Sequence, residues 1–154
     1  MKQYKHILVP LDGSELAELA LTDAFSLAQL HQAEVTLLQV ISPLEHLVVN
    51  GDLFLDELWA LQKNAAVRYL EDISRRDECK NLKIHLAVEM GPTAEKIIEY
   101  THQAPIDLIV MATHGRSGFK RWVYGSVADK VLRGADLPVL LVRAHPEHKM
   151  AEKI

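Results

Sequence analysis

The sequence predicts an α/β domain built on a parallel sheet. Three observations predict it: five short β-like runs alternate with four segments of helical period, the links between them are short, and three of the runs are almost continuously apolar. Strands covered by helices on both faces have that last character, because neither face meets water. Right-handed crossovers then join successive strands.

The first run, Ile7 to Leu11, leads to Asp12 and Ser14, which can cap a helix, and then to one apolar stripe of Ala17, Ala20, Leu21, Ala24, Leu27 and Ala28. Val35 to Ile41 is the second run. The longest gap, Ser42 to Asp52, follows it and is read as a mobile surface loop. A second helical stripe comprises Leu55, Leu58, Trp59, Gln62, Ala66, Tyr69, Leu70 and Ile73, with Gln62 its only break. Leu82 to Val88 alternates apolar and polar residues, which predicts a strand with a less covered face. Gly91-Pro92-Thr93 opens a third helix carrying Ala94, Ile97, Ile98 and Thr101 inward. Ile106 to Ala112 is the third continuous run; Ser126 can cap a fourth helix with Val127, Val131, Leu132 and Ala135 on its apolar stripe, and Pro138 precedes the fifth run, Val139 to Val142.

With 154 residues, 49% apolar and 25% charged, the chain has material for one sizeable core, so residues 1–144 are expected to form one domain and His145 to Ile154 a polar tail. Seventeen Lys and Arg against 21 Asp and Glu leave a net charge of −4, which gives no general attraction to nucleic acid or an anionic membrane. Any anion site must be local. Cys79, the single cysteine, excludes an internal disulfide and every CxxC motif, and fits a reducing compartment. The opening Met-Lys-Gln-Tyr-Lys-His shows no signal-peptide core and no segment approaches the roughly 18 apolar residues of a membrane span, so a cytoplasmic protein is expected.

The fifth run is the last strand added, and is expected at a sheet edge. Val139-Leu140-Leu141-Val142 lacks the charges that usually protect an edge, so something should cover it. A second copy pairing strand to strand would do so, giving a homodimer; a helix or the tail is the alternative.

Ligands of open parallel sheets bind beyond the carboxyl ends of the strands. Two loops belong there: Pro10-Leu11-Asp12-Gly13-Ser14, and Ala112 to Ser126 with Gly115, Gly118, Gly125 and the cations Arg116, Lys120 and Arg121. Backbone N–H groups turned by glycine, together with a helix N-terminus, make an anion site, to which the Ser126 hydroxyl would add a donor. An ordinary strand-to-helix connection with solvated cations accounts equally for the second loop. No Gly-x-x-x-x-Gly-Lys-Ser/Thr and no Gly-x-Gly-x-x-Gly after a strand is present, which argues against motor ATPases and nicotinamide dehydrogenases of the usual kind.

Taken together, Ile7-Leu8-Val9-Pro10-Leu11-Asp12-Gly13-Ser14, then Ala112-x-x-Gly115-x9-Gly125-Ser126, then Leu137-Pro138-Val139-Leu140-Leu141-Val142 resemble the universal stress protein family, from about Tyr4 to Arg143. The family's nucleotide-binding branch carries Gly-x-x-Gly, nine residues, then Gly-Ser or Gly-Thr. Here the spacing and Gly125-Ser126 are kept, and Ala112 replaces the first glycine, a change that adds one methyl group and is harmless where φ is negative. The resemblance implies a Rossmann-like five-stranded sheet ordered 3-2-1-4-5, with ATP or another adenine nucleotide at its switch point. It implies that Pro10, Asp12 and Val40 surround adenine and ribose, and that Met111, Ala112, Gly115, Gly125, Ser126 and Val127 line ribose and phosphates. Mg²⁺ could arrive with the nucleotide. It also implies dimers paired through the last strand.

Each tempting residue has a plainer reading. Asp12 can be only a helix cap. His114 has no spacing that ties it to a triad, and His145-x-x-His148 lies in a polar tail without a third ligand. Trp59 and Trp122 read as packing anchors. Cys79, among Arg75, Arg76, Asp77, Glu78 and Lys80, reads as a plain surface cysteine rather than a reactive thiol. The expected function is an ATP-binding stress sensor or regulator. The rivals are a dimeric interaction protein that has lost ATP, and a slow ATPase or a nucleotidyl or phosphoryl transferase using the same pocket; no catalytic residue is assigned.

Overall fold

The computed structural model describes residues 1–42, 52–113 and 125–143, with only the backbone at 52–54. In chain order it contains β1 (His6–Leu11), α1 (Glu15–His31), β2 (Glu34–Ile41), α2 (Asp52–Ser74), a 3-10 turn (Asp77–Cys79), β3 (Ile84–Met90), α3 (Thr93–Gln103), β4 (Leu108–Thr113), α4 (Ser126–Gly134) and β5 (Val139–Arg143). The five strands form one sheet in the order β3-β2-β1-β4-β5, and every neighbouring pair is parallel. Two strands start later than their apolar runs suggest, at Ile84 and Leu108 rather than Leu82 and Ile106. The Leu82 and Ile106 N–H groups are spent on local turns, donating to Cys79 O at 3.0 Å and Ala104 O at 2.8 Å. A donor already used cannot join a ladder.

Alternation along the strands sends side chains to two cores. Ile7, Val9, Val35, Leu37 and Val110 meet Ala20, Ala24, Phe25 and Ala28 of α1 and Leu70 and Ile73 of α2 on one face. Leu8, Leu38, Ile109 and Met111 meet Ala94 and Ile97 of α3 and Ala128 and Val131 of α4 on the other. Double coverage is why these strands read as continuous apolar runs, each fully buried Leu or Ile contributing about 1.5–3 kcal/mol. At the opposite edge from β5, β3 has no fully buried residue, and Leu86 and Met90 are exposed, in keeping with its alternating sequence.

The second helical stripe is shorter in the core than its period suggests. Leu55 is 44% exposed, whereas Ala66, Leu70 and Ile73 are buried. A helix of 23 residues is about 35 Å long and outruns the roughly 23 Å of a seven-residue strand.

Three local readings are resolved. Ser14 is the N-cap of α1, its Oγ accepting from Ala17 N–H at 3.1 Å. Ser126 is not a cap: Gly125 takes the cap position, its carbonyl accepting from Asp129 N–H at 2.9 Å, so Ser126 is already the first helical residue. Cys79 is not a surface cysteine but 4% exposed, its thiol donating to Ile73 O at 3.3 Å. The 3-10 turn tucks Cys79 under the end of α2 while its charged neighbours stay outside, a reversal that flanking charges cannot reveal. Burial pushes this thiol up from its ordinary pKa, Glu78 adds to the shift and Arg76 opposes it.

Candidate functional site

The chain leaves β1 for α1 on one face of the sheet, while α4, the next helix after β4, packs on the other face. Because β1 and β4 are neighbours, the sheet has a topological switch point at their carboxyl ends, the place where such sheets open a crevice. A cavity of about 150 Å³ lies there. Pro10, Leu11 and Asp12 supply one wall and Met111, Ala112 and Thr113 another; Gly125, Ser126 and Val127 close a third. Thus seven of the residues expected at a ligand site line this one cavity: Pro10, Asp12, Met111, Ala112, Gly125, Ser126 and Val127. Val40 is half-buried at the end of β2, packs against the α3–α4 core and is not on the described wall. Gly115 lies outside the described residues, as do His114, Arg116, Gly118, Lys120, Arg121, Trp122, His145 and His148.

Asp12 is exposed and locally braced. Its Oδ1 accepts from the Ser14 N–H at 2.9 Å and from the Ser14 hydroxyl, and Ser14 in turn caps α1. Gly13 between them takes φ +85, a conformation that costs glycine little and other residues more. Asp12 therefore does serve the helix start, and it borders the cavity while doing so. Ala112 lies in the β4 ladder opposite Val142, and Gln32 is the single non-glycine residue with positive φ among the described residues. The methyl group at position 112 therefore meets no backbone penalty.

The start of α4 supplies the polar end of the crevice. Backbone N–H groups in the first turn of a helix have no intrahelical acceptor, and those of Ser126, Val127 and Ala128 belong to cavity-lining residues. Such a helix start favours negative charge. Sequence reasoning missed a contribution from α3: Thr93 and Ile97 also line the cavity, Thr93 Oγ1 lying 3.3 Å from Ser42 Oγ. The Gly91-Pro92-Thr93 start signal placed the helix but could not show that it leans against α4. Among the described lining residues Asp12 is the one ionisable side chain, so the walls combine apolar surface, hydroxyls and helix-start N–H groups.

Fold and site together define a doubly wound α/β domain with a crevice at its switch point. The chain belongs to the universal stress protein family, whose family model matches residues 3–143. It is 34% identical over 142 residues to the universal stress protein MJ0531 of Methanocaldococcus jannaschii, covering 91% of this chain and 82% of that one. The solved structure of MJ0577 from the same organism has a TM-score of 0.79 at 31% identity, covering 94% and 99% of the two chains. A universal stress protein solved in complex with cAMP shares the fold, with a TM-score of 0.62 at 20% identity over 94% of this chain and all of that one. Among the described residues no helix is long and apolar enough to cross a membrane.

Proposed function

We propose that the crevice binds an adenine nucleotide, ATP in the first place, and that the protein acts as a nucleotide-responsive regulator in stress rather than as a catalyst. One observation carries this reading: segments around residues 10–12, 111–113 and 125–127, distant in sequence, wall one cavity at the switch point. Pro10 and Met111 offer apolar contact for base and sugar, Asp12 an acceptor for a ribose hydroxyl, and the N–H groups and hydroxyl at Ser126 donors for phosphate. Val40 and Gly115 belong to the same proposal, on the family pattern. Binding of cAMP by a relative of the same fold supports an adenine nucleotide as the ligand class. The described walls bring one carboxylate, so Mg²⁺ would come on the nucleotide's own phosphates.

A homodimer through β5 belongs to the same reading. The strand lies at the sheet edge and exposes Leu140, and a second β5 would satisfy the outer backbone groups of both copies.

Calorimetric titration with ATP, cAMP and GTP tests the assignment. Adenine-selective, saturable binding with one nucleotide per chain is the expected result. Absence of heat and of competition at millimolar ATP, in protein shown free of co-purified nucleotide, refutes it and leaves the dimeric interaction protein as the better reading.

A further inference from the structure

At the amino end of the sheet, away from the crevice, three strands bring together residues that no spacing in the sequence connects. The parallel register sets His6 of β1 opposite Glu34 of β2, and Thr36 of β2 opposite His85 of β3. One ligand atom from each of His6, Glu34 and His85 lies within 4.8 Å of the other two, and all three residues are half-buried. Glu34 Oε2 is 2.7 Å from His85 Nε2, and the imidazole centroids of His6 and His85 are 5.4 Å apart.

We propose that His6, Glu34 and His85 form a binding site for a divalent transition-metal ion, Zn²⁺ being the reference case. Two imidazole nitrogens and one carboxylate oxygen are a donor set suited to Zn²⁺, and three protein ligands leave a fourth position for water. Bonds of about 2.1 Å place tetrahedral donors about 3.4 Å apart. The present separations bracket that spacing, from 2.7 Å for Glu34 and His85 to at most 4.8 Å within the set, and with the backbones held in adjacent ladders the adjustment falls to the side chains.

Neighbouring groups support the carboxylate and one ring. Lys83 Nζ holds Glu34 Oε1 at 2.7 Å, which leaves Oε2 on the side of His85. The Thr36 hydroxyl lies 2.7 Å from His6 Nε2, and that threonine is buried to 1% exposure, so the contact fixes the ring against a rigid part of the sheet. Outer hydrogen bonds of this kind orient ligands and tune metal affinity. In the metal-bound state the ion replaces the His85–Glu34 hydrogen bond, and the ring carries its proton on the nitrogen that faces away. Bound metal would pin β1, β2 and β3 at the end opposite the crevice.

The test uses the full chain stripped with a chelator and titrated with Zn²⁺ by calorimetry and with Co²⁺ by visible absorption. One equivalent should bind, with Co²⁺ bands characteristic of nitrogen and oxygen ligands. Glu34→Gln and His85→Gln, at side chains 37% and 41% exposed, should retain native melting curves and each weaken binding at least tenfold. A His145→Ala/His148→Ala variant and the crevice variant Gly125→Val should bind as the parent does. No binding at tens of micromolar Zn²⁺, binding that survives both Glu34→Gln and His85→Gln, or binding lost with the His145/His148 pair overturns the proposal.

Discussion

Replacing Gly125 by valine asks whether the crevice accommodates a nucleotide beside the start of α4. Gly125 has φ −53 and ψ 151, a conformation open to any residue, so valine brings no backbone strain. Losing glycine at an N-cap costs about 1 kcal/mol, and the stiffer unfolded chain returns about 0.4–1 kcal/mol, so global stability should change little. The local effect is larger. Valine adds three carbons at a residue that lines a cavity of about 150 Å³. A thermal melt reads the difference. At ATP 100 times the parent's Kd, the parent gains about 2.7 kcal/mol, or about 5–11 °C in Tm at about 2–4 °C per kcal/mol. A 100-fold weaker Gly125→Val protein at the same ATP gains about 0.4 kcal/mol, or about 1 °C. A folded variant that keeps the parent's full shift refutes the placement of the nucleotide against α4.

Ser14→Ala removes the α1 cap and should cost about 0.5–2 kcal/mol in urea unfolding, while Ser126→Ala, at a position without a cap bond, should leave stability nearly unchanged. Cys79, buried and with its thiol pushed up, should react with a disulfide reagent at pH 8 only as fast as the protein opens; rapid stoichiometric labelling of native protein contradicts its placement. Tyr69 is held neutral by burial and by the nearby Glu18 carboxylate, which accepts its phenol at 3.1 Å, with Asp12 adding to the shift and Arg76 opposing it. Its raised pKa means that its stabilising contribution is complete below the unfolded value of about 10 and is lost as pH rises through the folded value. Difference titration against Tyr69→Phe at 295 nm should show ionisation well above pH 10, lowered by Glu18→Gln. Leu140→Lys puts a charge on the exposed β5 edge and should shift a dimer to monomers in sedimentation equilibrium without lowering Tm by more than about 1 kcal/mol equivalent; a parent that sediments as a monomer removes β5 pairing from the proposed function.

The elements were legible because their signals are local. Continuous apolar runs marked β1, β2 and β4, alternation marked the edge strand β3, and 3.6-residue periods marked the helices. The order β3-β2-β1-β4-β5 came from resemblance, since parallel crossovers of similar length fit several strand orders. Much of the crevice was legible for a related reason: residues at and just past the carboxyl ends of β1 and β4 are brought together by the sheet itself. Thr93 and Ile97 were not, because their place on the wall depends on how α3 packs against α4. Cys79 was misread because burial there follows from a 3-10 turn, not from composition. His6, Glu34 and His85 had no signature at all; only the register of three strands makes them neighbours.

The crevice is built chiefly by backbone. Gly13 turns the chain after β1, Gly125 starts α4, and the strand ends hold Pro10, Met111 and Ala112 in place. Nucleophilic catalysis by a hydroxyl or thiol uses a nucleophile and a base at hydrogen-bonding distance, and general acid–base catalysis a side chain tuned toward the working pH. Among the described lining residues Asp12 is the single ionisable group, and its Oδ1 is already committed to Ser14. Walls of this kind can discriminate a ligand by shape, by hydroxyl acceptance and by phosphate donation. Interactions that do not strengthen toward a transition state hold a ligand without accelerating its reaction. For this reason the described walls suit the binding role proposed above, and a nucleotide titration comes before a turnover assay as its test.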